Sequence, residues 1–331
     1  MADALSFVKK ITWDKALNFF TISLSYIASS FFKKPVTFGL PATVSIEPSS
    51  RCILNCPECP AGNRTLRRKR HDMDLNLYSR ILDQIARHTL WLQLYFQGEP
   101  FMNPNIFRMI QQAGEKKIYS ILSTNGHFLD ELFSQKIIES GLDRLIISLD
   151  GTDAETYNQY RKNGDYLKVI EGIQNLTHLR QREGSHKPYI ILQFLVFRFN
   201  EHQIRSINNL GKKLGVDRVK IKSAQIYHPE KKKNLIPSKR KYSRYKEDMS
   251  GEINLRKHLK NQCTRLWYTT VIDTDGNVGP CCFDKHIEYP MGNIHNTLFH
   301  EIWKSSAYQK FRQRILSNRS AIEMCRNCTQ T

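Results

Sequence analysis

The sequence predicts an α/β fold: a partly open barrel of about six βα units, followed by a small cysteine-bearing domain. Three observations predict it. From Val44 to about Ala224, apolar runs of strand length alternate with segments of helical period, the pattern of parallel strands joined by crossover helices. The eight cysteines fall in two groups with none between, Cys52, Cys56 and Cys59 first, then Cys263, Cys281, Cys282, Cys325 and Cys328. At 331 residues, with 40% hydrophobic and 24% charged residues, the chain has the length and composition for one large domain with an appendage.

The elements follow in order. Residues 1–42 form an N-terminal amphipathic helical segment. From Ala16 to Phe32 no residue is charged, and Lys15, Lys33 and Lys34 flank the run. Asn18, Thr21, Ser25 and Ser29 fall on one helical face; Leu17, Phe20, Leu24, Ile27 and Phe31 fall on another. A spanning helix needs about 20 predominantly apolar residues, and this run is shorter and two-faced. The expectation is a helix whose apolar face packs on the domain, with a helix lying on a membrane surface as the sharper alternative. A signal peptide around Ile27-Ala28-Ser29 would lead to an oxidising destination that ill suits clustered cysteines.

Residues 43–225 carry the barrel pattern. Strands are expected at Val44–Ile46, Leu92–Phe96, Ile118–Leu122, Leu145–Leu149, Tyr189–Phe197 and Arg218–Lys222. Between them lie helices marked by Leu77, Ile81 and Ile85; by Ile106, Met109 and Ile110; by Leu132, Phe133 and Ile137; by Leu167, Ile170 and Ile173; and by Ile204, Ile207 and Leu210. Six units are too few for a closed eight-stranded barrel, so the expected form is a partial (β/α)6 TIM-like barrel. Residues 226–262 include a lysine- and arginine-rich stretch, Tyr227–Lys260, with no hydrophobic period, read as a basic linker or surface loop. Residues 263–331 show a hairpin signal at Asp275-Gly276, a helix from Leu298 to Ile315 and the final cysteine pair.

Formal net charge is +19, which points to anionic partners such as RNA, a membrane surface or an acidic substrate, and says nothing of fold. Two dense cysteine clusters in a long chain suggest metal binding in a reducing compartment, hence a cytoplasmic protein, membrane-peripheral if the N-terminal helix lies on a bilayer.

Cys52-x3-Cys56-x2-Cys59 follows the first strand, at the end where the loops of such sheets gather. Three thiolates on one loop can bind three irons of a [4Fe–4S] cluster, whereas full protein ligation normally takes four. One iron is then open to a small molecule, as catalytic metal sites require. Zinc, the competing reading, usually takes cysteines in matched pairs.

This spacing, at this place, resembles the radical S-adenosylmethionine (SAM) superfamily, and the resemblance covers roughly residues 44–224. Gln97-Gly98-Glu99-Pro100 looks like the family's glycine–glutamate motif, with Gln97 in place of its first glycine, and implies that Gly98 and Glu99 meet the SAM amino group. Asn125, in Thr124-Asn125-Gly126, is carried over as a cofactor contact, as are Ser148 and Asp150 at the ribose. Arg161 matches a position that pairs with the SAM carboxylate, and a guanidinium fork suits a carboxylate. Glu58 departs from the pattern: the residue before the third cysteine is usually apolar or aromatic and near adenine.

Cys263-x17-Cys281, with Gly276 before the latter, and Cys325-x2-Cys328 supply four thiolates, enough to close a second [4Fe–4S] cluster. The arrangement resembles the SPASM/twitch auxiliary domain, supported by Asp275-Gly276-Asn277-Val278, Gly292-Asn293-Ile294 and Glu301-Ile302-Trp303. The last cysteine lies three residues from the end of the sequence, which favours the one-cluster twitch form. Neighbouring strand residues face opposite ways, so the two are not expected to share the cluster; Cys281 is assigned as the ligand from its spacing after Gly276, and Cys282 is taken as a small buried hydrophobe. A structural zinc is the alternative for this tail.

The resemblance implies a SAM cofactor, one SAM-binding and one auxiliary [4Fe–4S] cluster, and an electron donor such as flavodoxin or ferredoxin. The implied reaction is reductive cleavage of SAM to a 5′-deoxyadenosyl radical, then hydrogen abstraction from a substrate carbon. The auxiliary cluster suggests a net oxidation, a dehydrogenation or cross-link, unless it only braces the pocket. Only about forty residues precede Val44, too few for the peptide-binding domain that peptide maturases often carry; this favours a small-molecule, sugar or lipid-linked substrate over a peptide. The alternatives are an RNA- or peptide-modifying relative, and a zinc-binding nucleic-acid-binding protein without catalysis; RNA is not favoured. No catalytic acid or base is assigned, His127 and Asp150 qualifying by position alone.

Overall fold

The computed structural model describes residues 2–329. The chain folds as two compact units. The first comprises the chain up to Arg51, Leu66–Ile121 and everything from Leu259 onward; the second comprises Cys52–Thr65 and Leu122–His258.

In the first unit, α1 (Ala2–Val8) and α2 (Trp13–Phe32) lead to β1 (Thr43–Ile46). Next come α3 (Leu75–Ile85), β2 (Trp91–Leu94), α4 (Ile106–Glu115) and the start of β3 (Tyr119–Thr124), whose last three residues belong to the second unit. Asp74 starts α3 by accepting the amides of Asn76 and Leu77, and Leu77, Ile81 and Ile85 turn its apolar stripe inward. β1 lies parallel to β2, in the register Val44 to Leu92.

The second unit holds α5 (Glu131–Glu139), β4 (Arg144–Ser148), α6 (Ala154–Tyr160) and α7 (Tyr166–Arg182), then β5 (Tyr189–Val196), α8 (Ile204–Lys213) and β6 (Arg218–Ser223). Its strands run parallel, Ile146 beside Ile191 and Phe194 beside Ile221. Asp130, Asp153 and Asp165 cap α5, α6 and α7. The basic stretch is more than a linker. It forms a hairpin, β7 (Tyr245–Glu247) with β8 (Ile253–Leu255), and buries Ile236 and Tyr245 against Leu54, Cys56, Phe197 and Ile226. Two isolated apolar anchors leave no period to read, which is why the sequence pattern resembles a loop.

The tail returns to the first unit. After α9 (Arg265–Tyr268), β9 (Thr269–Ile272) lies parallel to the other edge of β1. β10 (Asn277–Gly279) and β11 (Gly292–Asn293) continue antiparallel, giving the order β11-β10-β9-β1-β2-β3. The expected hairpin at Asp275-Gly276 joins β9 to β10, with Gly276 at φ +77°. The helix expected from Leu298 to Ile315 is two, α10 (Phe299–Lys304) and α11 (Ser306–Asn318), before α12 (Glu323–Arg326). Ser305, at ψ 159°, leaves helical geometry and caps α11 by accepting the Tyr308 amide. β2 stops at Leu94, short of the expected Phe96, and the Gln97 amide further on bonds the Glu47 carboxylate.

The largest correction concerns α2. Its polar face packs inward and its apolar face is exposed. Lys15, Asn18, Ile22, Ser25 and Ser29 are buried, whereas Leu17, Phe20, Leu24, Ile27 and Phe31 face solvent. Each buried polar group has a backbone partner. Lys15 donates to the carbonyl of Lys117, and Asn18 donates to those of Leu40 and His88 while accepting the Leu40 amide. Ser25 accepts the amide of Phe38 and Ser29 that of Val36. Polar side chains stitch the helix to an irregular strand that has no ladder of its own, satisfying groups that would otherwise be buried unpaired.

Candidate active site and auxiliary thiol site

The cysteine loop, the ends of β3 and β4 and the end of α6 belong to the second unit. Cys52, Cys56 and Cys59 lie on one loop whose turns are fixed by the Cys59 amide on the Cys56 carbonyl (3.2 Å) and the Asn63 amide on the Cys59 carbonyl (2.8 Å). The Asn55 amide ties this loop to the Lys162 carbonyl at 2.9 Å. Cys56 is buried among Leu54, Tyr160, Phe197 and Ile226, with Cys52 and Cys59 against the same cluster. Burial pushes the Cys56 thiol up to about 11, against the pull of the nearby Arg161. Asn125 donates to the Cys52 sulfur at 3.9 Å.

Asp150 and Arg161 form a fixed pair. The guanidinium reaches Asp150 through two nitrogens, each at 2.7 Å, and lies over the Tyr160 ring at 5.5 Å. Asp150 also accepts the Leu195 amide at 2.7 Å, and its carboxylate is wholly buried. It therefore positions Arg161. His127 is likewise engaged: one ring nitrogen faces the Asn125 side-chain oxygen at 3.0 Å and the other accepts the Asp165 amide at 2.8 Å. Burial lowers its pKa, so it is neutral at pH 7 with both nitrogens in use. Ser148 closes β4 and is buried.

Glu58 has its own role. Its carboxylate accepts the Tyr227 amide at 2.5 Å and pairs with Lys232, holding the basic segment against the cysteine loop. Lys233 pairs with Glu247 at 2.7 Å, and the Lys239 amide bonds Glu201 at 3.1 Å. Part of the basic run is thus committed to internal contacts.

In the first unit, Gly98 sits at φ +71°, where a Cβ would overlap the Ser49 carbonyl oxygen and come within 2.7 Å of Ser50. Only glycine fits there. The Glu99 amide bonds the carbonyl of Arg51, the residue before Cys52, at 2.7 Å, and the Glu99 carboxylate accepts the Phe101 amide. Past the ends of β1 and β9, Glu47 and Asp273 enclose Arg68, which bonds Glu47 bidentately at 2.5 and 2.8 Å. No local spacing marks this buried trio, because its members lie far apart in sequence.

The tail thiols share that unit. Cys263, Cys325 and Cys328 are buried. Burial raises Cys263 and pushes Cys325 up to about 12, and the buried Arg319 lies close enough to oppose both shifts. Cys281 and Cys282 follow β10 in a turn, so strand alternation does not separate them. Cys282 is not the buried hydrophobe expected: Cys281 donates to its sulfur, and Arg265 donates to it at 3.1 Å. Both effects lower its pKa, while the bond to Cys282, burial and the neighbouring Cys263 raise that of Cys281. Arg265 and Arg319, which no motif singles out, supply the positive charge that five clustered sulfurs need. Their only signal in the sequence is proximity to the cysteines.

Among the described residues, no three His, Cys, Asp or Glu side chains converge closely enough to hold one metal ion. A cubane asks for a different geometry. Each thiolate binds its own iron, so the sulfurs stand apart around a cluster instead of around one ion. Three thiols on one loop in an apolar wall, and a second thiol set beside two arginines, suit such clusters as donor sets.

Comparison with known proteins bears on both thiol sets. The radical SAM superfamily model matches residues 46–211, half of the chain, and an iron–sulfur cluster-binding (SPASM) domain model matches residues 263–329. The chain is 25% identical over 318 residues to a tungsten-containing aldehyde ferredoxin oxidoreductase cofactor-modifying protein of Pyrococcus furiosus, covering 86% of each. It is 29% identical to a PqqA peptide cyclase of Gluconobacter oxydans over 60% of this chain, spanning about half (54%) of that protein. Among solved structures, Streptococcus suis SuiB bound to S-adenosylmethionine superposes with a TM-score of 0.64 at 16% identity, over 92% of this chain and 75% of that one. That likeness shows the fold, a partial TIM-like barrel with a C-terminal domain.

Proposed function

Because this chain belongs to the radical SAM superfamily and carries a SPASM iron–sulfur domain, we propose that it performs a net two-electron oxidation of its substrate, a dehydrogenation or a new cross-link. The radical SAM domain binds SAM and a [4Fe–4S] cluster, and the SPASM domain binds auxiliary iron–sulfur. When bound, these groups supply a one-electron reductant, a 5′-deoxyadenosyl radical for hydrogen abstraction, and an electron acceptor. A flavodoxin or ferredoxin would serve as the external donor.

The protein's own residues hold and orient. Cys52, Cys56 and Cys59 would ligate the first cluster, with Asn125 directed at Cys52 and the Leu54–Phe197–Ile226 wall excluding water. Arg161, locked by Asp150, presents a fixed positive charge beside Cys56, suited to the SAM carboxylate. Gly98 lets the backbone pass Ser49 and so sets Glu99 beside Arg51, suited to the SAM amino group. Ser148 is taken as the ribose contact. Cys263, Cys325 and Cys328 would hold the auxiliary cluster, with Cys281 as the fourth ligand. No proton-transfer role goes to His127 or Asp150, whose polar atoms are committed to their neighbours.

The observation that carries the reading is the pair of thiol sets on one chain, three on a loop and five in a tail beside Arg265 and Arg319. Similarity over most of the chain to a cofactor-modifying protein supports a small-molecule substrate, and similarity to a peptide cyclase supports a peptide as the second reading.

Anaerobic reconstitution with an iron count tests the proposal. Wild type should hold about eight irons, and about four after Cys52, Cys56 and Cys59 become Ala, with 5′-deoxyadenosine formation abolished. A colourless, zinc-loaded protein would overturn it. With the substrate in hand, mass spectrometry should show a product lighter by two hydrogens; a product of equal or greater mass would remove the net oxidation.

A further inference from the structure

The outward face of α2 is strongly apolar. Trp13, Leu17, Phe20, Leu24, Ile27 and Phe31 recur at alternating spacings of four and three, one continuous stripe along a 20-residue helix. All six are exposed, Trp13 at 80% and Phe31 at 78%. Phe32 packs on Phe31, and Leu5, Val8, Ile11 and Phe38, exposed as well, lie close by in sequence. Elsewhere among the described residues the exposed large apolar side chains, such as Ile53, Leu132, Leu167 and Leu298, are far apart in sequence, which is ordinary; a continuous stripe of this kind marks an interaction surface.

The opposite face cannot turn outward in exchange. Lys15, Asn18, Ser25 and Ser29 are fixed by hydrogen bonds to the backbone of residues 36–40 and of Lys117. Rotating the helix would bury apolar groups against unpaired amides and carbonyls, at a cost for each one. The apolar stripe is therefore permanent.

Charge identifies what it meets. Lys9 and Lys10 precede the helix, and Lys33 and Lys34 follow it. The aspartates of this segment are tied down, Asp3 by Tyr119 and Asp14 by Arg87 at 3.0 Å. From Ala16 to Phe32 the helix bears no charge. The result is an apolar, aromatic stripe with lysines at both ends.

We propose that this face docks on an anionic lipid bilayer, with α2 lying in the plane of the headgroups. Apolar side chains enter the acyl boundary while both lysine pairs meet acidic headgroups. No helix among the described residues is long and apolar enough to cross a membrane, which agrees with a helix that lies on one. A second copy of the chain fits less well. Whether two such helices pair parallel or antiparallel, a lysine pair meets a lysine pair at each end, and the stripe lacks the flanking opposite charges that specify coiled-coil partners. The inference is independent of the reaction proposed above, since no residue of the thiol sites takes part.

The test is co-sedimentation of the full reconstituted protein with vesicles of phosphatidylcholine containing about one-third phosphatidylglycerol, against phosphatidylcholine alone. Binding is expected to the anionic vesicles, weakened by salt, with a blue shift of Trp13 fluorescence. Trp267 and Trp303 are buried and contribute little to that shift, and a Trp13→Phe variant separates the signal of Trp13 from that of the half-buried Trp91, which stacks on Phe7. The triple variant Phe20→Ser, Ile27→Ser, Phe31→Ser should bind at least about tenfold more weakly with unchanged circular dichroism and iron content. Lys33→Glu with Lys34→Glu should weaken binding while leaving the stripe intact. Absence of binding, equal binding by the triple variant, or indifference to lipid charge would each overturn the proposal. So would a wild-type dimer that ignores vesicles and dissociates in the triple variant, which would assign the face to a second copy.

Discussion

Gly98 shows how one residue can fix the path of a backbone. Its positive φ and the overlap any Cβ would make with Ser49 serve one purpose, a backbone crossing that brings Glu99 to the residue before Cys52. Gly98→Ala should cost about 1–3 kcal/mol from the backbone strain alone. It should also reduce SAM cleavage at least about tenfold, because relief of the clash displaces Glu99. Denaturation midpoints and 5′-deoxyadenosine rates check this, and a variant with wild-type rates would exclude the role. The three-cysteine loop after β1 was legible because local spacing encodes it. Glu58 was visible as a departure, yet its partners Tyr227 and Lys232 lie so far along the chain that only folding joins them. Strand alternation does not tell Cys281 from Cys282, for a local reason: β10 ends at Gly279 and the chain turns there.

At the scale of elements, the strands lie within about two residues of where the apolar runs put them, the usual play at element ends. The inverted α2 is the exception. Amphipathic spacing divides a helix into two faces but does not say which one the rest of the protein covers. Lys15 makes the inversion measurable. Burial first, then the charges of Lys10 and Lys117, hold its pKa down to about 8 from an ordinary 10.5. Between those values the unfolded chain binds more protons, so the contribution to stability is fully present above about 10.5 and is lost as pH falls through about 8. Urea midpoints should therefore rise between these limits, and Lys15→Met should flatten that rise. Equal slopes in wild type and variant would show that Lys15 does not titrate in the fold.

For the whole molecule, the buried thiols link folding to cofactor loading. Cys56, Cys263 and Cys325 are pushed up by burial and remain neutral thiols at pH 7 unless iron takes their protons. Whatever binds the folded chain alone stabilises it by mass action. Anaerobic chelation should thus lower the melting temperature by about 5 °C or more, and reconstitution should restore it. Coincident melting of stripped and loaded protein would break the link. The formal charge of +19 suggested a polyanion, but Lys232, Lys233 and Lys239 engage acids or carbonyls of the chain itself, which leaves less of that charge for RNA than a count implies.

The primary sequence determined the chemistry: thiol spacing, strand-and-helix alternation and the turn residues are short-range properties, encoded within a few positions. Tertiary structure decided what depends on distant segments meeting. It set which face of α2 is covered, which acids hold Arg68 and Arg161, and which arginines sit beside the tail sulfurs. Periodicity along a chain carries no information about the partner across a contact, and these questions concern the partner alone.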